Sequence, residues 1–84
     1  MYSLEISEHA EKFLKKIPKN DSELILNKVN SMRENPLRFL KRLKGCKLWR
    51  LKISKYMVII DVVVSGNRII ILKIGYGKNI YDEI

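Results

Sequence analysis

Apolar residues along this chain recur first with a helical period and later with a strand period. In YSLEI (residues 2–6), Tyr2, Leu4 and Ile6 alternate with Ser3 and Glu5, which predicts a short strand. Ser7 is a natural N-cap, and Glu8 follows in the first turn, where the helix dipole favours an acid. Ala10, Phe13, Leu14 and Ile17 then fall at i, i+3, i+4 and i+7, an amphipathic helix that Pro18 ends. Asn20-Asp21-Ser22-Glu23 reads as a capping box opening a second helix. Leu24, Ile25, Val29 and Met32 give that helix its buried side, and Asn35-Pro36 stops it. The two helices form an antiparallel hairpin.

From residue 49 onward the period is two. Trp49, Leu51 and Ile53 alternate with Arg50, Lys52 and Ser54; residues 56–64 (YMVIIDVVV) are a β-branched run; Ser65-Gly66-Asn67 signals a turn; and residues 68–74 (RIIILKI) return. The order is β-α-α-β-β-β. It predicts an α+β domain spanning residues 1–84, with the helical hairpin on one face of a mostly antiparallel sheet. Strict alternation then assigns faces. Trp49, Leu51 and Ile53 face the helices, so Arg50 and Lys52 face away. Asp61 lies on the open face with Met57, Ile59 and Val63, and Lys73 lies there with Ile69 and Ile71. The open face should therefore carry cations at one end and an exposed apolar patch of Met57, Ile59, Ile69 and Ile71. Such a patch marks a protein partner that lays an apolar segment over it.

Charge sharpens this picture. The 84 residues carry a net charge of +8, and residues 38–55 (RFLKRLKGCKLWRLKISK) hold eight lysines and arginines with no acid. An anionic partner is expected. Hydrophobic residues make up 46% of the chain, a globular proportion, yet no apolar run approaches the length of a membrane span. The N-terminus lacks the pattern of a secretory signal, and the one cysteine, Cys46, excludes an internal disulfide; both fit a cytoplasmic protein.

Several chemistries are excluded by inventory. His9 and Cys46, each the only one of its kind, cannot build a zinc site, so no metal is expected. Gly75-Tyr76-Gly77-Lys78 lacks the spacing and the hydroxyl of a phosphate loop, and the carboxylates are scattered. What remains is a set of cations and tyrosines: Arg50, Lys52, Lys73, Lys78, Tyr56, Tyr76 and Tyr81. Such groups can cleave RNA through its own 2′-OH. Crowded cations let one lysine act as base while others hold the phosphate, and rings stack on unpaired bases. The same set also serves electrostatic binding without turnover.

RLKGCKLWRLKISKYMVII resembles the block K-L-K-G…W-R-L-R…Y-R-V-I-Y of the RelE/ParE toxin superfamily of toxin–antitoxin systems. The tail LKIGYGKNIY resembles V-G-H-R-K-x-V-Y, and the N-terminal strand and helical hairpin ending Glu34-Asn35-Pro36 complete the likeness, which is closer to RelE than to ParE. The resemblance implies a microbial-RNase-like fold and an endonuclease that cuts mRNA in the A site of the small ribosomal subunit. It implies no metal and no cofactor, and a RelB-like antitoxin as partner. Carried over by motif, Arg50 and Lys52 match the family's two basic strand residues, one of which serves as general base or phosphate clamp, and Tyr81 matches the tail tyrosine that orients or stacks on the substrate. Lys44, Lys47, Lys55, Lys73 and Lys78 would contact RNA, and Met57, Ile59, Ile69 and Ile71 the antitoxin. Two positions depart: Met57 and Gly77 stand where the family usually has arginine. Lys73 or Lys78 could substitute as point charges. The alternatives are a catalytically weakened homologue that binds only ribosome or antitoxin, and a ParE-like gyrase-inhibiting toxin. In every version, charges set on a strand are held more firmly than charges on a loop.

Overall fold

The computed structural model describes residues 1–42, 45 and 47–77. Strand β1 (Ser3–Ile6) leads into helices α1 (Glu8–Lys16) and α2 (Lys19–Ser31). A 3-10 turn at Pro36–Arg38 is followed by β2 (Lys41–Arg42), β3 (Trp49–Ile53), β4 (Tyr56–Val63) and β5 (Arg68–Tyr76). The strands form one five-stranded sheet in the order β1-β5-β4-β3-β2. β1 pairs parallel to β5, and every other pairing is antiparallel. The sequence pattern anticipates this α+β layering. It does not anticipate β2, whose two residues are too few to show a period.

Both helices begin and end where local chemistry dictates. Ser7 caps α1, its Oγ accepting from the Ala10 amide at 3.1 Å. Pro18 separates the helices and itself occupies the N-cap position of α2. The capping box expected at residues 20–23 is therefore not formed, because α2 already starts at Lys19. Its polar side chains are drawn into tertiary contacts instead. Ser22 Oγ donates to the Leu14 carbonyl at 2.5 Å. Asp21 accepts from the Tyr56 hydroxyl, also at 2.5 Å. Leu24, expected on the buried side, is exposed, whereas Ile25, Val29 and Met32 are fully buried.

The core lies between the helices and one sheet face. It is built from Ala10, Ile17, Ile25, Val29 and Met32 above, and Leu51, Ile53, Tyr56, Val58, Ile60, Ile69, Ile71 and Ile74 below. Burying each large aliphatic side chain is worth about 1.5–3 kcal/mol. Tyr56 fills the far end, edge-on to Phe13 with ring centroids 5.9 Å apart. Tyr76 lies tilted beside it at 5.4 Å. These two tyrosines therefore belong to the helix side and not to the cationic face.

The placement of Ile69 and Ile71 on the open face is overturned. Ile59 pairs with Lys73, but the next residue, Ile60, pairs with Ile71, so Leu72 is an extra residue in β5. A bulge of this kind shifts the side-chain alternation by one. Before it, Ile69 and Ile71 face the helices and are completely buried; after it, Ile74 faces them too, and Lys73 emerges on the opposite side. The expected exposed apolar patch is also absent. Met57 and Ile59 do lie on the open face, but they are 3% and 2% exposed and form a small cluster of their own with Leu48.

Ser7 clasps the bulge. Its amide donates to the Ile71 carbonyl at 2.9 Å, and its hydroxyl donates to the Leu72 carbonyl at 2.6 Å. The same side chain thus caps α1 and satisfies an acceptor on the extra residue. Ser7→Ala should cost about 1–2 kcal/mol of unfolding free energy, measured by urea denaturation. A loss below a few tenths of a kcal/mol would show that the clasp is not stabilising.

The Tyr56–Asp21 bond makes a second prediction. Donation to the carboxylate, with burial, pushes the Tyr56 phenol up to about 12 from its ordinary value of 10. A raised folded-state value means that this contribution to stability is complete below pH 10 and is lost as pH climbs through about 12. In an ultraviolet titration one tyrosine should ionise near pH 12, and Asp21→Asn should return it toward 10.

Candidate nucleic-acid interface

The open face of the sheet is organised in rows by strand register. One row runs Lys41, Arg50, Ile59, Lys73 across β2, β3, β4 and β5. The next runs Lys52, Met57, Gly75 across β3, β4 and β5. Arg50 and Lys52 alternate with Leu51, which is buried among the helix-side residues, so both project to the same, opposite side. Adjacent strands lie about 4.8 Å apart, so Arg50 and Lys73, separated by β4, stand roughly 10 Å apart at the backbone. Long side chains bridge that gap, so these cations can converge on one or two phosphates. The apolar pair Met57 and Ile59 forms the floor between them.

Beside β3 this face opens into a hollow of about 400 Å³ lined by Phe39, Lys41, Arg50, Leu51, Lys52 and Met57. Among these six described residues three are cationic and none is acidic. Phe39 at its rim is 44% exposed. Lys28 and Arg38 stand over the Phe39 ring, 5.4 Å and 5.9 Å from its centroid. Two of the lining residues, Phe39 and Lys41, were not singled out from the sequence. Lys41 was visible within the basic run, but only the pairing of Lys41 with Arg50 puts it on this face.

The other candidate residues fall elsewhere. Lys47 lines a second hollow with Leu37, Arg42, Trp49, Asp61, Val62 and Val64. There the Arg42 guanidinium lies over the Trp49 ring at 4.9 Å. Lys55 sits in the β3–β4 turn with its ammonium 5.7 Å from the Tyr56 ring centre. Lys44, Lys78 and Tyr81 lie outside the described residues. Ile69 and Ile71, being core residues, cannot meet a partner on the open face. At the remote end of β5, Arg68 grips Glu5 with two hydrogen bonds of 2.5 Å and 2.9 Å. The Arg68 guanidinium holds the Glu5 carboxyl below its usual value.

Of the two departures from the family pattern, Met57 is buried in the row between Lys52 and Gly75. Gly77 donates its amide to the Lys55 carbonyl at 3.0 Å. Among the described residues, a Cβ at Gly77 would meet nothing nearer than that carbonyl at 3.8 Å, an ordinary van der Waals distance. Among the described residues no group of three or more His, Cys, Asp or Glu side chains is arranged to hold a metal ion. No helix among them is long and apolar enough to cross a membrane.

A helical hairpin on a five-stranded sheet, with cations ranked on the face opposite the helices, is the architecture of a small toxin domain of the RelE/ParE kind. The family described as ParE toxin of type II toxin–antitoxin system, parDE, matches residues 4–81, and the chain belongs to it, within the RelE/ParE superfamily. Solved structures agree on the fold. A chain of the archaeal RelE–RelB complex from Pyrococcus horikoshii OT3 superposes with a TM-score of 0.80 at 25% identity, covering 93% of this chain and 97% of that one. The isolated E. coli RelE toxin gives 0.79 at 22% identity over 99% and 94% of the two chains. The chromosomal ParDE system of P. aeruginosa gives 0.74 at 19% identity over 90% and 96%. No curated protein sequence matches the chain.

If Arg50 and Lys52 grip RNA phosphates, replacing either by alanine should flatten the salt dependence of binding. On single-stranded RNA the slope of log K against log salt should fall by about 0.7 for each phosphate released. An unchanged slope in both variants would remove these side chains from the interface.

Proposed function

We propose that this toxin cleaves mRNA in the ribosomal A site by attack of the ribose 2′-OH on the adjacent phosphodiester. The observation that carries the reading is the shared face of Lys41, Arg50, Lys52 and Lys73 in two adjacent register rows. The reaction needs the 2′-OH deprotonated, the extra negative charge on phosphorus neutralised and the departing 5′-oxygen protonated. The Arg50 guanidinium presents a planar fork matched to two phosphate oxygens. Lys52, two residues along the same strand, supplies the proton-transfer group. Lys73, brought to this face by the bulge, supplies the positive charge that Met57 does not. Tyr81 is the candidate to orient the substrate. The cytoplasmic antitoxin partner is RelB-like, as in the RelE–RelB complexes of similar fold.

Anchoring explains why the charges sit on a strand. Arg50 and Lys52 are fixed by the β3–β4 ladder and by Leu51 beneath them. Preorganised charge stabilises a transition state without reorganising during the reaction. Match to the ParE family supports a second reading, a toxin that inhibits gyrase by protein contact.

In vitro translation with the protein added separates the two. The RNase reading expects new mRNA 3′ ends at A-site codons only when ribosomes are present, and Arg50→Ala or Lys52→Ala should slow their appearance by on the order of 10²-fold. DNA damage in expressing cells with intact mRNA would favour the gyrase reading. Gly77→Arg, whose Cβ clears the described neighbours, should raise the cleavage rate by on the order of 10-fold or more by restoring a bidentate phosphate ligand.

A further inference from the structure

We infer that Phe39 is the platform on which one base of the bound RNA stacks, next to the phosphate held by Arg50. This rests on the RNA reading of the open face and adds a residue that neither composition nor motif picks out. Phe39 is nearly half exposed, and unlike Tyr76, which is equally exposed but packs beside Tyr56 and Phe13 on the helix side, it lines the hollow beside β3. It shares a single hollow with Lys41, Arg50 and Lys52, so a nucleotide whose phosphate meets Arg50 has its base within reach of the ring. The hollow, at about 400 Å³, has room for one nucleotide. Its apolar part is the Met57 side chain, which lies on the same face as Arg50 and Lys52 and suits a base and not a second phosphate.

The surroundings of the ring point the same way. Lys28 from α2 and Arg38 from the 3-10 turn both stand within 6 Å of the ring centre. An entering base takes the place of one of them against the ring. The displaced cation then lies beside the backbone of the same nucleotide. An aromatic face with neighbouring cations is the recurring way that proteins hold unpaired nucleotides with little regard to sequence. In the competing, purely structural role, Phe39 only braces the turn ahead of β2 through its contacts with Lys28 and Arg38.

The experiment compares a short, cleavage-resistant 2′-O-methyl RNA with the same strand carrying one abasic position, scanned along its length. Affinity is measured for the chain alone and on ribosomes programmed with each strand. Wild-type protein should lose about 5- to 100-fold at one abasic position and little at the others. Phe39→Ala should bind the intact and abasic strands equally, Phe39→Leu should behave like alanine although it keeps apolar bulk, and Phe39→Trp should restore the preference. Equal sensitivity to the abasic position in wild type and Phe39→Ala overturns the proposal, as does a wild type with no position-dependent loss in either setting. The two layers are separable. If Arg50→Ala still flattens the salt slope while Phe39→Ala changes nothing, the phosphate reading survives and the platform does not. If binding is base-dependent through Phe39 yet no mRNA is cut, the platform stands without the nuclease.

Discussion

The extra residue in β5, held by Ser7, is the constraint on which the rest of this structure depends. In an uninterrupted strand, residues 69, 71 and 73 would share one face, and either two isoleucines would be stranded opposite the core or a lysine would be driven into it. Neither is tolerable in a domain this small. Leu72 breaks the alternation, so that Ile69, Ile71 and Ile74 all reach the core and Lys73 reaches the opposite face. The carbonyl displaced by the irregularity is satisfied by the same hydroxyl that starts α1. Core packing, helix initiation and placement of an open-face cation thus meet at one serine.

The open face shows how a small domain holds positive charge steady. Lys41 and Arg50 are register partners, and Lys73 lies in the same row. Like charges so arranged repel, and the fold tolerates this because the layer beneath is well packed. Met57 and Ile59 separate the cations laterally and are shielded with Leu48. Several acids among the described residues are engaged elsewhere: Glu5 with Arg68 at one edge, Glu8 and Glu11 along α1 paired with Lys12 and Lys15, and Asp21 with Tyr56 beneath the helices. Asp61 lines the second hollow and not the one beside β3.

Much of the architecture was legible in the sequence, because helix and strand periods are strong signals and the caps are local. Ser7, the helix break at Pro18 and the outward aim of Arg50 and Lys52 all follow from nearest neighbours. What escaped was non-local. A bulge inside RIIILKI leaves no mark, since nearly every residue around it is apolar and the pattern reads equally well in two registers. Asn20–Glu23 has the chemistry of a capping box, but tertiary partners claimed its side chains first. Phe39 follows a turn and precedes a strand of two residues, where no period exists to assign it a side. Its place in the site is set by the pairing of Lys41 with Arg50 alone.

The strand order carries a consequence for biosynthesis. β5 is inserted between β1 and β4, so the first strand to leave the ribosome must wait for the last described one before it has a partner. Such long-range pairing is costly in chain entropy and slows folding. A nascent chain ending before Arg68 already contains Arg50 and Lys52 but has no sheet on which β1 and α1 can settle. The sheet that holds these side chains in register is therefore complete only late in synthesis.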